Sequence, residues 1–208
     1  MSESSFPEIK TKAAEILSAA ADSTRYLVAV AGPPASGKST LASHLAAEIN
    51  AQAGSEISTV VPMDGFHLDN ATLEKMNLLP RKGAPQTFDS EGFVRLVKQL
   101  AQTDQDTPVP LFDRQLDAVV PDAQLVKAEQ RILLLEGNYL LLEELPWCEL
   151  HDLYDAVIFL NPGLDVLEKR LIGRWLEHGL DEAAARQRAE SNDLPNARYV
   201  VKHSVQVS

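Results

Sequence analysis

The sequence predicts an α/β fold, a three-layer α/β/α sandwich around a mainly parallel sheet of five strands. Short, continuously apolar runs such as YLVAVA at residues 26–31 alternate with longer segments whose apolar residues recur every three or four positions. The first apolar run leads through a glycine-rich turn into an amphipathic segment. Strands that are joined through helices lie parallel, because right-handed crossovers return the chain to the same end of the sheet.

The individual elements follow from these patterns. Strands are predicted at residues 26–31, 57–62, 131–135, 156–160 and 199–207. Helices are predicted at residues 7–21, from about 39, from 93 to 100 and from about 163. Because a chain of 208 residues can bury one substantial core, we expect residues 1–208 to form a single domain.

The charge balance of the chain limits its partners. Its 30 acidic and 19 basic residues give a formal net charge of −11, and no run of five basic residues interrupts this excess. Such a surface repels nucleic-acid phosphates and anionic membranes, so neither partner is expected. The single cysteine, Cys148, excludes an intrachain disulfide, and the polar N-terminus does not resemble a signal peptide. We expect a cytoplasmic protein, either a monomer or a homodimer.

Residues 32–39, GPPASGKS, match the pattern G-x-x-x-x-G-K-[ST] in full. In such a loop the glycines let the backbone wrap around a phosphate group, and the positive end of the following helix points at the same anion. Lys38 can then bridge the β- and γ-phosphates, and the Ser39 hydroxyl can bind Mg²⁺. The sequence thus predicts ATP and Mg²⁺ as cofactors. The predicted nucleotide-binding residues of the loop are Gly32, Pro33, Pro34, Ala35, Ser36, Gly37, Lys38, Ser39 and Thr40.

Two acidic residues lie directly after predicted strands. Asp64 follows the strand at 57–62, at the edge of the sheet where α/β folds bind their ligands, and a carboxylate there can accept the proton of an acceptor hydroxyl. Glu136 closes the apolar run RILLL, an arrangement typical of a Walker B carboxylate that holds Mg²⁺ directly or through water. A capping aspartate and an exposed strand-end glutamate are the structural alternatives.

Several segments together resemble a known group of enzymes. The loop GPPASGKST, the segments PMDGFHLDN and RKGAPQTFD and the strand LLLEGNYLL are similar to the uridine kinase, pantothenate kinase and phosphoribulokinase group of P-loop kinases. The segments RWLEHGL and NDLPNARYV resemble a bacterial subgroup of fructose transport system kinases within the nucleoside/nucleotide kinases. The resemblance implies an ATP-dependent phosphotransferase with an alcohol group as acceptor, a substrate-side excursion at about 68–121 and a small lid at about 170–190.

On the acceptor side, the resemblance implies that Asp64 is the catalytic base. Arg81 and Lys82 fall where the substrate-side loop of these kinases lies. His67 can contact a substrate hydroxyl or can be a structural histidine, and two residues of the excursion can recognise a polyol or belong to the surface. The predicted acceptor-binding residues are therefore Asp64, His67, Arg81, Lys82, Asp113 and Arg114.

On the lid side, the resemblance implies that Arg170 binds ATP and that Arg174 reaches the transferring phosphoryl group. The two arginines are four residues apart and share one helix face, which a solvated surface or a salt bridge would also explain. Arg186 and Arg188 are alternatives for the catalytic arginine. Asn196 lies in a turn-like cluster and is predicted to touch the adenine base, with a simple turn as the alternative.

The predicted function is therefore phosphoryl transfer from ATP to a hydroxyl of a small metabolite, with a sugar such as fructose as a candidate. A nucleoside or a pantothenate-like acceptor remains open, although the sequence GFHL after Asp64 differs from the aromatic-rich segment of uridine kinases. A P-loop ATPase switch without a small-molecule acceptor is the alternative from another class. The sequence lacks the N-K-x-D signature of guanine-nucleotide binding, which disfavours a GTPase.

Overall fold

The computed structural model describes residues 6–206, with the first two of these as backbone only. The strands are β1 (Tyr26–Ala31), β2 (Ser58–Pro62), β3 (Thr107–Asp113), β4 (Ala118–Val126), β5 (Ile132–Gly137) and β6 (Ala156–Phe159). The helices are α1 (Phe6–Ala19), α2 (Lys38–Ala53), α3 (Asn70–Lys75), α4 (Ser90–Gln102), α5 (Leu164–Glu177), α6 (Glu182–Arg188) and α7 (Leu194–His203), with a π-helical turn at Ala189–Asp193. No helix among the described residues is both long and apolar enough to cross a membrane.

The central sheet consists of four parallel strands in the order β2-β5-β1-β6. Every residue of β1 and β5 is buried, which explains why both strands are continuously apolar in the sequence. In the register of the sheet, Glu136 on β5 lies opposite Val30 on one side and opposite Pro62 on the other. The carboxyl ends of these three strands therefore meet at one edge of the sheet, where the residues that follow them come together.

Helices cover both faces of the sheet, so the predicted three-layer sandwich is confirmed. Alternate residues of the buried strands point to opposite faces, as the pleat of a strand requires. On one face α1 and α2 pack against the sheet through Ile16, Leu45, Ile49, Val28 and Leu134. On the other face α4 does so through Phe93, Val97, Leu100, Leu27 and Leu133.

The predicted fifth strand at residues 199–207 is wrong, and within residues 6–206 the sheet has four strands. Residues 194–203 form helix α7, and 207 lies outside the described residues. The adjacent valines at 200 and 201 favoured a strand, but the buried residues Leu194, Ala197 and Val200 are spaced by three, as on a helix face. Pro195 lies in the first turn of α7, where its fixed backbone torsion suits a helix.

The excursion at 68–121 contains α3, α4 and most of a second, two-stranded antiparallel sheet formed by β3 and β4. This hairpin was not predicted, because its prolines at 108, 110 and 121 are typical of loops. Prolines are tolerated here since neither strand is flanked on both sides by partners. The hairpin packs closely on the turn after β2: a Cβ on Gly65 would lie 2.1 Å from the carbonyl oxygen of Pro110.

Candidate active site

The loop at residues 32–37 joins β1 to α2 in a conformation that requires two of its glycines. Gly37 has a φ of 100°, in the left-handed region that favours glycine. At Gly32, a Cβ would lie 2.4 Å from the carbonyl oxygen of Leu160. The loop can thus close tightly in front of the first turn of α2, where unpaired backbone N–H groups attract an anion.

Lys38, Ser39 and Glu136 form a compact group at the foot of this loop. The ammonium group of Lys38 lies 3.6 Å from Oε1 of Glu136, and the Ser39 hydroxyl donates a hydrogen bond of 3.1 Å to the same oxygen. The hydroxyl and carboxylate oxygens are ligands that Mg²⁺ accepts when phosphate oxygens and water complete its shell. Among the described residues, no cluster of three or more acidic, histidine or cysteine side chains could hold a metal by itself.

Burial raises the pKa of Glu136, and the nearby charge of Lys38 only partly offsets this effect. The carboxylate of Asp64 acts in the same direction as burial. A carboxyl whose pKa is higher in the folded than in the unfolded protein stabilises the fold when it is protonated, and this contribution is lost as the pH rises through the folded pKa. Ionisation of the buried Glu136 therefore lowers the stability of the protein as the pH rises through its pKa.

We expect Glu136→Gln to increase the free energy of unfolding at pH 8 relative to the wild type, because glutamine mimics the protonated acid. The difference should disappear at about pH 4, where an ordinary carboxyl is largely protonated. Urea denaturation of the nucleotide-free protein across this pH range measures it. A variant that is less stable than the wild type at pH 8 would show that the attraction to Lys38 outweighs burial.

Asp64 lies directly after β2 in a single 3₁₀ turn, Met63–Phe66. Its side chain is 36% exposed and opens into a cleft of about 380 Å³, called here the main cleft. The guanidinium of Arg114, on the β3–β4 hairpin, lies 3.9 Å away. The main cleft is lined by Pro34, Asp64, His67, Lys82, Gly83, Phe88, Phe112, Arg114, Asp117, Asn138, Arg174, Trp175, His178, Arg188, Asp193 and Asn196. It therefore connects the phosphate loop to Asp64 and to most of the predicted acceptor-binding residues.

His67 lines the main cleft as a neutral ring. Its Nδ1 lies 2.8 Å from the carbonyl oxygen of Asp64, and since a carbonyl can only accept, Nδ1 carries the proton. The ring centres of Phe88 and Phe112 lie 4.1 and 4.6 Å from the centre of the imidazole ring. Burial lowers the pKa of His67, although the charge of Asp64 opposes this effect. The second nitrogen, Nε2, is therefore a hydrogen-bond acceptor.

Lys82 and Arg81 are both held by contacts within the protein. Lys82 forms a salt bridge of 2.8 Å with Asp117 and donates to the side chain of Asn70 at 2.7 Å. Its hydrogen bond lowers the pKa of Asp117. Arg81 donates to the carbonyl of residue 191 at 3.2 Å and to the side chain of Asn196 at 3.4 Å. These contacts bind the loop at 79–83 to the hairpin on one side and to the segment before α7 on the other.

The predicted lid arginines lie on α5 and face the phosphate loop. Arg170 donates to the carbonyl oxygens of Ala35 and Ser36 at 3.1 and 3.0 Å. Arg174 lies in the main cleft and pairs with the buried Asp193 at 3.2 Å. Of the two alternatives, Arg188 also lines the cleft, whereas Arg186 pairs with glutamates of α5 and α6 outside it.

Two predicted site residues have other surroundings. Asp113 accepts hydrogen bonds from the backbone N–H groups of residues 115 and 116, so it stabilises the hairpin turn, and it does not line the main cleft. Asn196 is buried beside Arg81 on the acceptor side of the phosphate loop. Asn196 does not line the pocket of about 570 Å³ on the other side of the phosphate loop. The lining of that pocket includes Gly37, Thr40 and Arg170. The geometry therefore favours an acceptor-side role for Asn196 over the predicted contact with adenine.

Among the residues of the main cleft that sequence reasoning missed are Asp117, Asn138, Trp175 and Asp193. Asn138 carried a usable signal, because it directly follows the end of β5, much as Asp64 closely follows the end of β2. Trp175 packs against the buried cluster of Leu171, Ala189 and Leu194, and it also contacts the guanidinium groups of Arg174 and Arg188 and donates to Asp193. Nothing in the local sequence around the two aspartates distinguishes them from surface residues.

The sequence of the chain is similar to that of known kinases over nearly its whole length. The sequence model described as "Phosphoribulokinase / Uridine kinase family" matches residues 27–202. "Putative uridine kinase C227.14" of Schizosaccharomyces pombe is 37% identical over 209 residues, covering 97% of this chain and 88% of that protein. The matched region includes the phosphate loop, Asp64 and Glu136.

Two solved structures share the fold. A crystal structure described as that of a "putative fructose transport system kinase" from Silicibacter sp. TM1040 matches with a TM-score of 0.89 and 45% identity, covering 96% of both chains. YFH7 from Saccharomyces cerevisiae, a P-loop protein with a circular permutation, matches with a TM-score of 0.85 at 23% identity, covering 96% of this chain and 97% of that one. This chain therefore belongs to the phosphoribulokinase/uridine kinase family and is an ATP-dependent kinase.

Proposed function

We propose that this kinase transfers the γ-phosphoryl group of Mg-ATP to a hydroxyl of a small metabolite, with a sugar such as fructose as the first candidate. The observation that carries the proposal is the main cleft, which runs from the phosphate loop at Pro34 to the carboxylate of Asp64. Its volume of about 380 Å³ suits a metabolite and is too small for a macromolecular substrate. We further propose that residues 1–208 form one domain and that residues 170–190 act as a lid.

In this proposal the loop and the first turn of α2 bind the phosphates. Lys38 neutralises the β- and γ-phosphates, and Ser39 and Glu136 would hold Mg²⁺. The ion, when bound, neutralises charge that develops on the phosphate oxygens. The pocket beside Gly37, Thr40 and Arg170 adjoins the loop and supplies a place for the nucleoside part of ATP.

On the acceptor side, Asp64 accepts the proton of the attacking hydroxyl while the new O–P bond forms and the bond to the β-phosphate oxygen breaks. ADP leaves with the electron pair of the broken bond. Arg174, once released from Asp193, offers a positive charge to the phosphoryl group in transfer. Closure of the lid would exclude water, so that the acceptor rather than water is phosphorylated.

The aromatic rings of the main cleft support a sugar over a nucleoside. Phe88 and Phe112 contact the His67 ring at tilted angles of 44° and 37°, and Lys82 lies 5.0 Å from the centre of the Phe112 ring. The indole of Trp175 is covered by two arginines. A nucleobase would thus have to displace these contacts before it could stack, whereas a polyol needs hydrogen-bonding groups only.

The test is coupled ADP release from Mg-ATP across a panel of sugars, polyols, nucleosides and pantothenate, with ³¹P NMR of the product. We expect at least one sugar or polyol to raise the rate well above basal hydrolysis and to appear as a phosphate monoester. Basal hydrolysis that no acceptor stimulates would contradict the proposal and favour an ATPase switch.

A further inference from the structure

Asn138 follows strand β5 at the edge of the sheet where Asp64 follows strand β2. Strands β2 and β5 are paired in parallel with Pro62 opposite Glu136, and Asp64 and Asn138 each lie two residues beyond that pair. The two segments remain in contact there, since a Cβ on Gly137 would lie 2.6 Å from the Cβ of Met63. Because neighbouring strands are about 4.8 Å apart, the two side chains start from adjacent backbone positions. Both line the main cleft.

The side-chain oxygen of Asn138 has no protein partner. Oδ1 is buried, and within residues 6–206 no group donates a hydrogen bond to it. Buried polar atoms in native proteins nearly always have a hydrogen-bond partner. Asn138 as a residue is half-buried and lines the main cleft, so rotation of its amide brings Oδ1 to a donor of a ligand bound there.

Two donors, that of the next residue along the chain and that of Lys82 in the main cleft, are already engaged. The hydroxyl of Tyr139 donates to the carbonyl oxygen of Gly83. The ammonium group of Lys82 has three donors, and it contacts three acceptors, the side chain of Asn70 and both the carboxylate and the carbonyl of Asp117. Neither group can turn to Asn138 without losing a bond that it now makes.

Three residues that line the same cleft thus carry an acceptor: Asp64 its carboxylate, Asn138 Oδ1 and His67 Nε2. The last is an acceptor because Nδ1 carries the ring proton. A ligand that satisfies them must bring several donors that lie close together. Hydroxyl groups on neighbouring carbons have this arrangement.

We propose that Asn138 binds a second hydroxyl of the acceptor, on the carbon next to the hydroxyl that Asp64 activates. The substrate is then a vicinal diol, a sugar or a polyol, and Asn138 determines this specificity. The inference rests on the proposed function, because it takes Asp64 as the group that activates the reacting hydroxyl.

The test measures coupled ADP release, at saturating Mg-ATP, with D-fructose, D-glucose and D-ribose and with every monodeoxy analogue of each. For the sugar that the wild type prefers, one analogue lacks the hydroxyl on the carbon next to the reacting one. The wild-type kcat/KM for this analogue should be about tenfold lower than for the parent sugar. Asn138→Ala should lower kcat/KM about tenfold for the parent sugar and no further for that analogue. The KM for ATP should not change.

Asn192→Ala is the matched control. Oδ1 of Asn192 is also buried without a partner among the described residues, but Asn192 does not line the main cleft, and its amide donates to the carbonyl of Lys82. Asn192→Ala should change kcat/KM by the same factor for the parent sugar and for all its analogues.

The same uniform loss in Asn138→Ala would overturn the proposal, since it would indicate a structural role. No loss would overturn it too, because a water molecule would then satisfy the amide. If nucleosides or pantothenate stimulate ADP release and sugars do not, the kinase assignment stands and the diol proposal is wrong. If no acceptor of any class does so, the proposed function itself fails.

Discussion

Asp64→Asn is expected to lower the rate of phosphoryl transfer about 10³-fold, with ATP affinity within about twofold of the wild type. Asparagine keeps the size of the side chain but cannot accept the proton of the attacking hydroxyl. Asp64 lies after β2, whereas the loop after β1 binds the phosphates in the proposed mechanism. Acceptor-stimulated ADP release measures turnover, and the fluorescence of a labelled ATP analogue measures nucleotide binding.

Asp117→Asn is the control for a carboxylate lost from the same cleft. Asp117 holds Lys82 at 2.8 Å and has no place beside the reacting groups in the proposed mechanism. We expect this variant to raise the KM for the acceptor several-fold and to retain most of its kcat, because the loss concerns the position of Lys82. Equal losses of turnover and of ATP affinity in Asp64→Asn would show that Asp64 supports the whole site rather than the acceptor hydroxyl.

Gly65→Ala is expected to reduce the free energy of unfolding by about 3 kcal/mol and to impair acceptor binding. The added Cβ would lie 2.1 Å from the carbonyl oxygen and 2.7 Å from the carbonyl carbon of Pro110. Because these are backbone atoms of β3, the overlap can be relieved only when the β3–β4 hairpin moves away from the turn that carries Asp64. Thermal and urea denaturation measure stability, and the acceptor KM reports the displacement of the hairpin.

Gly173→Ala makes the same chemical change at a position with free space. Gly173 lies inside α5, and nothing would come within 4 Å of its added Cβ. Alanine is the better helix former, so this variant should gain about 0.5–1 kcal/mol of stability. If both alanine variants lowered stability to the same extent, the contact with Pro110 would not be the cause of the effect at Gly65.

The phosphate loop was predictable from the sequence because its function depends on local geometry. Gly32, Gly37, Lys38 and Ser39 lie within eight consecutive residues, and each has a conformation or a contact that the motif implies. Glu136 was predictable for a related reason. A buried strand must end at the edge of its sheet, so an acid that closes such a strand lies near the loop that follows the neighbouring strand.

Other predictions depended on contacts between distant segments. Residues 199–203 of the expected strand are helical because Leu194, Ala197 and Val200 bury one face within the fold, and a pair of valines carries no information about that partner. Asp113 accepts hydrogen bonds from the turn of its own hairpin and does not line the cleft. This position could not be foreseen, because the hairpin itself was not predicted. For Arg174 the sequence indicated a helix face, but its pairing with Asp193, nineteen positions away along the chain, required α5 and the segment before α7 to meet.

The sequence by itself thus determined the fold class, the nucleotide loop and the two strand-end carboxylates. Each of these depends on residue types at short, regular spacings, which the backbone geometry of helices, strands and glycine turns dictates. Only the tertiary structure decided which side chains line the acceptor side. Four of these side chains come from separate elements, namely Asn138, Asp117, Trp175 and Asp193. They lie in one cleft because segments far apart in the chain pack against each other. The spacing of residues within a short segment does not indicate which distant segments will be in contact.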